Sequence, residues 1–180
     1  MKIVGLAGWS GAGKTTLVCK LIPALTERGL TVSTVKHAHH SFDVDKPGKD
    51  SYEHRRAGAK EVLISSAQRW ALMHELRDEE EPSVEALLSK LSPVDLVIIE
   101  GFKREGHQKL EVWRRSVKKP LLASDDPQIF AICSDGPVPE AASLPHGPRP
   151  VLDLNDVDAI VDFLIQKLDL GTRATTEKTL

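Results

Sequence analysis

The stretch Gly5-Leu-Ala-Gly-Trp-Ser-Gly-Ala-Gly-Lys-Thr-Thr16 decides how the rest of the chain is read. Within it, Gly8-x-x-x-x-Gly13-Lys14-Thr15 matches the phosphate-binding P-loop pattern in full. The flanks agree with the motif. Lys2 to Ala7 reads as a short apolar strand, and Lys14 onward reads as a helix. A strand that enters a helix through a glycine-rich turn aims consecutive backbone N–H groups at one point. The positive end of the helix dipole adds to the pull on an anion there. Gly8, Gly11 and Gly13 carry no side chains to obstruct phosphate oxygens, so the loop Ser10, Gly11, Ala12, Gly13 becomes the expected cradle. Lys14 is expected to neutralise the β- and γ-phosphates, Thr15 to ligate Mg²⁺ through its hydroxyl, and Thr16 to complete the phosphate contacts.

Outward from this loop, length and composition set bounds. The 180 residues suit one domain, read as 1–170 with a polar tail from 171 to 180 that reads as disordered. Hydrophobic residues make up 41 %, enough for an ordinary core, and the net charge of −2 gives no reason to expect a nucleic-acid partner. No apolar run approaches the ~18 residues of a membrane span, and the N-terminus shows no signal-peptide pattern. Cys19 and Cys133 form no C-x-x-C pair and read as two buried, reduced thiols.

The remaining elements follow in order. The first helix is expected to run from Lys14 to Arg28, with Leu17, Leu21 and Leu25 on its apolar face and Gly29 at its end. Pro23 is expected to kink or locally unwind it. Leu30 to Lys36 reads as a second strand and as the parallel neighbour of the first. The polar run His37 to Asp50 follows a strand end, the sheet edge that carries ligands in open α/β folds. Ser51 to Ala59 suits a short helix, and Glu61–Ser65 and Trp70–His74 suit a hairpin. Ser83 caps a helix to about Leu91. Asp95 to Gly101 is a continuous apolar run, as in a strand buried on both faces, ending in an acid and a glycine. Strands are also expected at Lys109–Arg114, Ile129–Cys133 and Val151–Leu154. Asn155 is expected to cap a last helix, Val157–Leu168. The pattern is α/β: a P-loop NTPase three-layer sandwich with a mostly parallel sheet and an added β-hairpin.

Glu100 stands at the tip of a strand beside the P-loop strand, where the phosphate site needs an acid for its metal or for orienting water. Gly101 lets a backbone N–H approach the γ-phosphate. Asp43, Asp45 and Asp50 offer further carboxylates, and Asp45 is counted with the metal residues; a solvated charged loop is the plainer reading. His37, His39 and His40 leave three readings open: a metal, an anionic ligand, or simple loop polarity. Trp9 serves either to pack the loop or as a platform for a partner. The guanine-reading elements N-K-x-D and T-K-x-D are absent, but Asp135 follows a buried strand at the correct edge and offers an acceptor to a base.

Several runs taken together resemble the molybdopterin-guanine dinucleotide biosynthesis adapter protein B family. These are Ala7–Leu17, Lys36–His40, Phe42–Tyr52, Arg56–Ala59, Gln68–Met73 and Val97–Lys103, with Ile129–Asp135 and Leu152–Val157 also fitting. The resemblance spans about Met1 to Lys167. It implies a cytoplasmic, homodimeric GTP-binding protein with weak GTPase activity that assists the molybdenum cofactor guanylyltransferase. Carried over by position, Gly11, Gly13, Lys14, Thr15 and Thr16 hold GTP phosphates, Thr15 and Glu100 hold Mg²⁺, and Gly101 sits at the γ-phosphate. Molybdopterin is a further possible ligand. The competing reading is a small-molecule kinase that transfers the γ-phosphate of an NTP. Arg55, Arg56, Arg114 and Arg115 are its lid candidates, although no segment reads as a lid.

Overall fold

A computed structural model describes residues 1–38, 42–102 and 105–171. The chain falls into two compact units, Met1–His37 with Leu87–Leu180, and Ala38–Ala86. His39, His40 and Lys103, and the tail beyond Gly171, lie outside the described residues.

The first unit is a six-stranded parallel sheet. Its strands are β1 (Lys2–Ala7), β2 (Val32–Lys36), β5 (Leu96–Glu100), β6 (Lys109–Trp113), β7 (Ile129–Ser134) and β8 (Val151–Asp153), with β3 and β4 in the other unit. The order across the sheet is β2-β5-β1-β6-β7-β8. This corrects one expectation. The second strand does not lie beside the first; β5 pairs with both, in register from Lys2↔Leu96 and from Val32↔Leu96. The burial of these strands gives the reason. Leu96, Val97, Ile98 and Ile99 are at most 1 % exposed, so β5 requires cover on both faces and both edges. The half-exposed β2 tolerates the edge.

Helices α1 (Lys14–Glu27) and α4 (Val157–Leu168) cover one face. Leu17, Leu21 and Leu25 of α1 and Ile160, Val161 and Leu164 of α4 join Val4, Leu6, Ile98 and Leu110 of the sheet in one core. Burying each such side chain contributes ~1.5–3 kcal/mol. The opposite face is covered by short 3-10 turns, whose Leu121, Ala123 and Ala141 pack on Ile129 and Ile132. The helix α1 runs unbroken through Pro23. Pro23 and Cys19, whose carbonyl loses its helical donor, both lie on the exposed side, where water serves the orphaned acceptor. Cys19 is therefore exposed, contrary to the expected burial, while Cys133 is buried. Desolvation pushes the Cys133 thiol up to about 12. The cap of α4 is Asp156 and not Asn155: its carboxylate accepts from Ala159 N at 2.9 Å. Asn155 instead donates to Asp153.

The second unit holds α2 (Asp50–Arg56) and the antiparallel hairpin β3 (Glu61–Ser65) and β4 (Trp70–His74). Val62 and Met73 pair across the hairpin and are its buried residues. On the other face Leu63 pairs with Leu72, beside Trp70, and all three are exposed. The helix expected from Ser83 to Leu91 is shorter, α3 (Val84–Leu88), and Ser83 Oγ accepts from Ala86 N as a cap should.

Candidate functional site

The P-loop leaves the end of β1 between β5 and β6, in the middle of the sheet. Gly13 takes the N-cap position of α1 in a left-handed conformation, and no side chain caps the helix. The N-terminal N–H groups of a 14-residue helix thus meet the loop without a competing carboxylate or hydroxyl cap. The loop holds itself together through Ala12 N donating to Trp9 O at 3.1 Å. Lys14 Nζ donates to Gly8 O at 2.8 Å and Trp9 O at 3.1 Å, which folds its ammonium back over the loop it serves. Ser10, Gly11, Thr15 and Thr16 are exposed, and Ala12 is buried beneath them.

β5 delivers Glu100 to the same place. Thr15 Oγ1 donates to Glu100 Oε1 at 3.2 Å, and Lys36 Nζ lies 4.0 Å from Glu100 Oε2. The register explains the meeting: Leu6 pairs with Glu100, so the β5 acid emerges level with the end of the P-loop strand. The Glu100 carbonyl accepts from His37 N at 2.8 Å, which ties it to the end of β2. Gly101 has a φ of 110°, and a Cβ there would lie 2.6 Å from His37 Cβ. The turn that follows the acid therefore needs glycine for both conformation and space.

A hydroxyl and a carboxylate side by side are hard oxygen donors, the set that Mg²⁺ prefers. Among the described residues no group of three or more His, Cys, Asp or Glu side chains forms a metal cage. Asp45 is placed differently. It belongs to the second unit, where its Oδ1 accepts from Lys46 N and from Ser51 Oγ, and its Oδ2 lies 3.7 Å from Arg55 Nε. Arg55 also binds Asp43 and Glu75. The Asp45 N–H and the Arg55 guanidinium hold the Asp43 carboxyl below the usual carboxylate range.

Two residues take roles that the sequence did not disclose. Trp9 reaches a distant segment: its Nε1 donates to Pro120 O at 2.8 Å, and Lys119 Nζ lies 5.5 Å from its ring centre. Trp113 Nε1 donates to the adjacent Lys119 carbonyl at 2.9 Å. Trp9 thus ties Pro120 to the P-loop, and Trp113 ties Lys119 to the end of β6. Arg114, read as a lid candidate, instead binds Asp135 and donates from Nε to Ala12 O at 3.1 Å. Its signal in the sequence was its position, one residue past a strand in the same sheet. Asp135 itself lies on the wall of a cavity of about 260 Å³ at the end of β7 and along β8.

Comparison with known proteins bears on this arrangement. A family model described as "Molybdopterin guanine dinucleotide synthesis protein B" matches residues 3–135, from the P-loop strand to Asp135. A molybdopterin-guanine dinucleotide biosynthesis adapter protein of Escherichia coli (strain K12) is 44 % identical over 167 residues, 91 % of each chain. One from Haemophilus influenzae is 37 % identical, over 90 % of this chain and 86 % of its own length. A crystal structure of molybdopterin-guanine biosynthesis protein B superposes with a TM-score of 0.72 at 29 % identity, covering 93 % of this chain and 99 % of that one. Bacillus subtilis MobB, at 22 % identity, shares the fold with a TM-score of 0.69. The chain belongs to the MobB family.

Proposed function

We propose that this chain binds GTP with Mg²⁺ at the P-loop and acts as an adapter in forming the guanine dinucleotide of the molybdenum cofactor. The observation that carries the reading is the Thr15–Glu100 contact across 85 residues of sequence, at the mouth of an uncapped helix N-terminus. In this reading Ser10 to Thr16 hold the phosphates, and Lys14 leaves the Gly8 and Trp9 carbonyls for phosphate oxygens. Thr15 and Glu100 hold the cation, which neutralises charge on the phosphates when bound. Gly101 N–H faces the γ-phosphate, and Asp135 accepts from the guanine edge. Hydrolysis is slow. Glu100 sits beside Thr15 and Lys36, where its carboxylate is engaged by a hydroxyl and an ammonium. Asp45, engaged with Arg55 and Ser51, has at most an indirect part in metal binding.

The adapter's output is a contact with the guanylyltransferase that handles molybdopterin. The whole of 1–170 is proposed to work as one nucleotide-binding domain, with Ala38–Ala86 as its insertion. The chain is proposed to work in the cytoplasm, with both thiols reduced. A second copy of the chain is the proposed cover for the face formed by Leu63, Leu72 and Trp70, whose exposures are 63, 48 and 67 %. The kinase reading loses ground because Arg55 and Arg114 are already held by carboxylates.

Calorimetric titration with Mg-GTP and Mg-ATP tests the proposal. Tighter binding of GTP, lost in Lys14→Ala, supports it. Equal binding, or phosphoryl transfer to a pterin with rapid turnover, overturns it.

A further inference from the structure

The sheet edge that carries the P-loop continues to a second feature. β6 and β7 follow β1 in parallel, so their ends at Trp113 and Ser134 open on the same side as the P-loop. Adjacent strands lie ~4.8 Å apart, which places the end of β7 about 10 Å from that of β1. There Ser134, Asp135 and Gly136, with Val151, Leu152 and Asp153 along β8, line the cavity of about 260 Å³. Pockets for whole drug-sized ligands begin at ~300 Å³, so this one suits a ring system more than a complete nucleotide. Of its two carboxylates, Asp153 is already used: its Oδ1 accepts from Asn155 N at 2.8 Å and Asn155 Nδ2 at 3.1 Å. Asp135 Oδ2 accepts from Arg114 Nη1, and Arg114 Nε donates to the Ala12 carbonyl at 3.1 Å. One guanidinium therefore bridges the carboxylate on the cavity wall and the main chain of the phosphate loop.

We propose that Arg114 is the positioning residue for base discrimination at this site. The inference rests on the GTP reading above and names how the base is chosen. A carboxylate discriminates guanine because guanine presents N1–H and 2-amino donors, whereas adenine presents a bare N1 and no 2-amino group. The discrimination requires a carboxylate that stays put; one that rotates away accepts either base. The charge-assisted bond from Arg114 uses one lone pair of Oδ2 and leaves the other acceptor sites of Asp135 for the base. Its Nε anchor on Ala12 references that carboxylate to the loop that holds the phosphates. The planar guanidinium serves both directions at once, and a lysine ammonium does not reproduce that fork.

The test is equilibrium binding of Mg-GTP, Mg-ATP and Mg-XTP to the full chain and to Asp135→Asn, Arg114→Gln and Arg114→Lys. Asp135→Asn is expected to lose GTP and gain XTP, since the amide donates to the xanthine 2-carbonyl. Arg114→Gln is expected to weaken GTP about tenfold, the loss of one charge-assisted bond, while ATP affinity holds. Arg114→Lys keeps the cation and should fold even where Arg114→Gln does not; it is expected to reduce the GTP-to-ATP ratio as well. Equal losses of GTP and ATP in the Arg114 variants, or an unchanged ratio, overturn the assignment. The two failures are separable. A switch to XTP in Asp135→Asn with an unchanged ratio in the Arg114 variants sinks Arg114 alone. A wild-type chain with no preference for GTP sinks the base reading and Arg114 with it.

Discussion

Gly101→Ala is the perturbation whose cost the structure sets most directly. Two terms add. The φ of 110° at Gly101 is a conformation that an alanine adopts only under strain, at about 1–3 kcal/mol. The new Cβ would also stand 2.6 Å from His37 Cβ and 3.2 Å from His37 N. Those atoms sit on the strand end that donates to Glu100 O at 2.8 Å, so relief means moving the backbone that holds the acid. Overpacking of this kind costs about 1–3 kcal/mol. Gly11→Ala is the control, because its φ of 81° carries strain but nothing lies within 4 Å of its Cβ. The expected losses are ~2–6 kcal/mol for Gly101→Ala and ~1–3 kcal/mol for Gly11→Ala. At ~2–4 °C per kcal/mol for a chain of this size, Gly101→Ala should melt about 4–24 °C below wild type, and well below Gly11→Ala. The assay is urea and thermal unfolding without nucleotide, with the urea slope checked for constancy. Equal stability of the two variants would refute the reasoning, because the clash with His37 is what separates them.

The other predictions concern charge. Lys14→Ala should abolish detectable GTP binding in calorimetry while leaving the melting temperature within a few degrees, since the Gly8 and Trp9 carbonyls that its ammonium holds are part-buried and belong to the same loop; normal affinity would unseat the phosphate assignment. Glu100→Gln should keep nucleotide binding, weaken its dependence on Mg²⁺ and slow hydrolysis, read from phosphate release at several Mg²⁺ concentrations; unchanged release would remove Glu100 from the metal site. Glu61 and then Glu79 raise the pKa of His74 above its ordinary 6.5. A raised folded pKa means the folded chain holds the proton more tightly, so this contribution to stability is complete below about 6.5 and fades as pH rises through the folded value. An NMR titration should show His74 titrating above that value and moving down in Glu61→Gln; no movement would remove Glu61 as the cause.

Much of the fold was legible because the motif and its flanks carry their own physics. A P-loop requires a strand, a glycine turn and a helix start in sequence, and Glu100 ended an apolar run of a buried parallel strand. The hairpin was equally local, with the strands Glu61–Ser65 and Trp70–His74 close in sequence and closed by a turn in which Ser66 N donates to Arg69 O. Pro23 and Cys19 were harder. Their burial depends on which way the helix faces, and an apolar stripe of leucines does not say how far it extends around the cylinder. The cap of α4 was misplaced by one residue because Asn155 and Asp156 are both good caps, and the choice turned on the Asp153 carboxylate that occupies Asn155.

The sequence by itself determined the P-loop motif, an acid at the end of a buried strand, the α/β class and the family, since each is written in residues close along the chain or in a spaced pattern of them. Only the tertiary structure decided that β5 separates β1 from β2, that Trp9 is held by Pro120, and that Arg114 joins Asp135 to the P-loop. Strand order follows from which edges need cover, and side-chain pairing from which strand ends the sheet brings level. Apolar runs announce that a strand is buried; they do not name its neighbours.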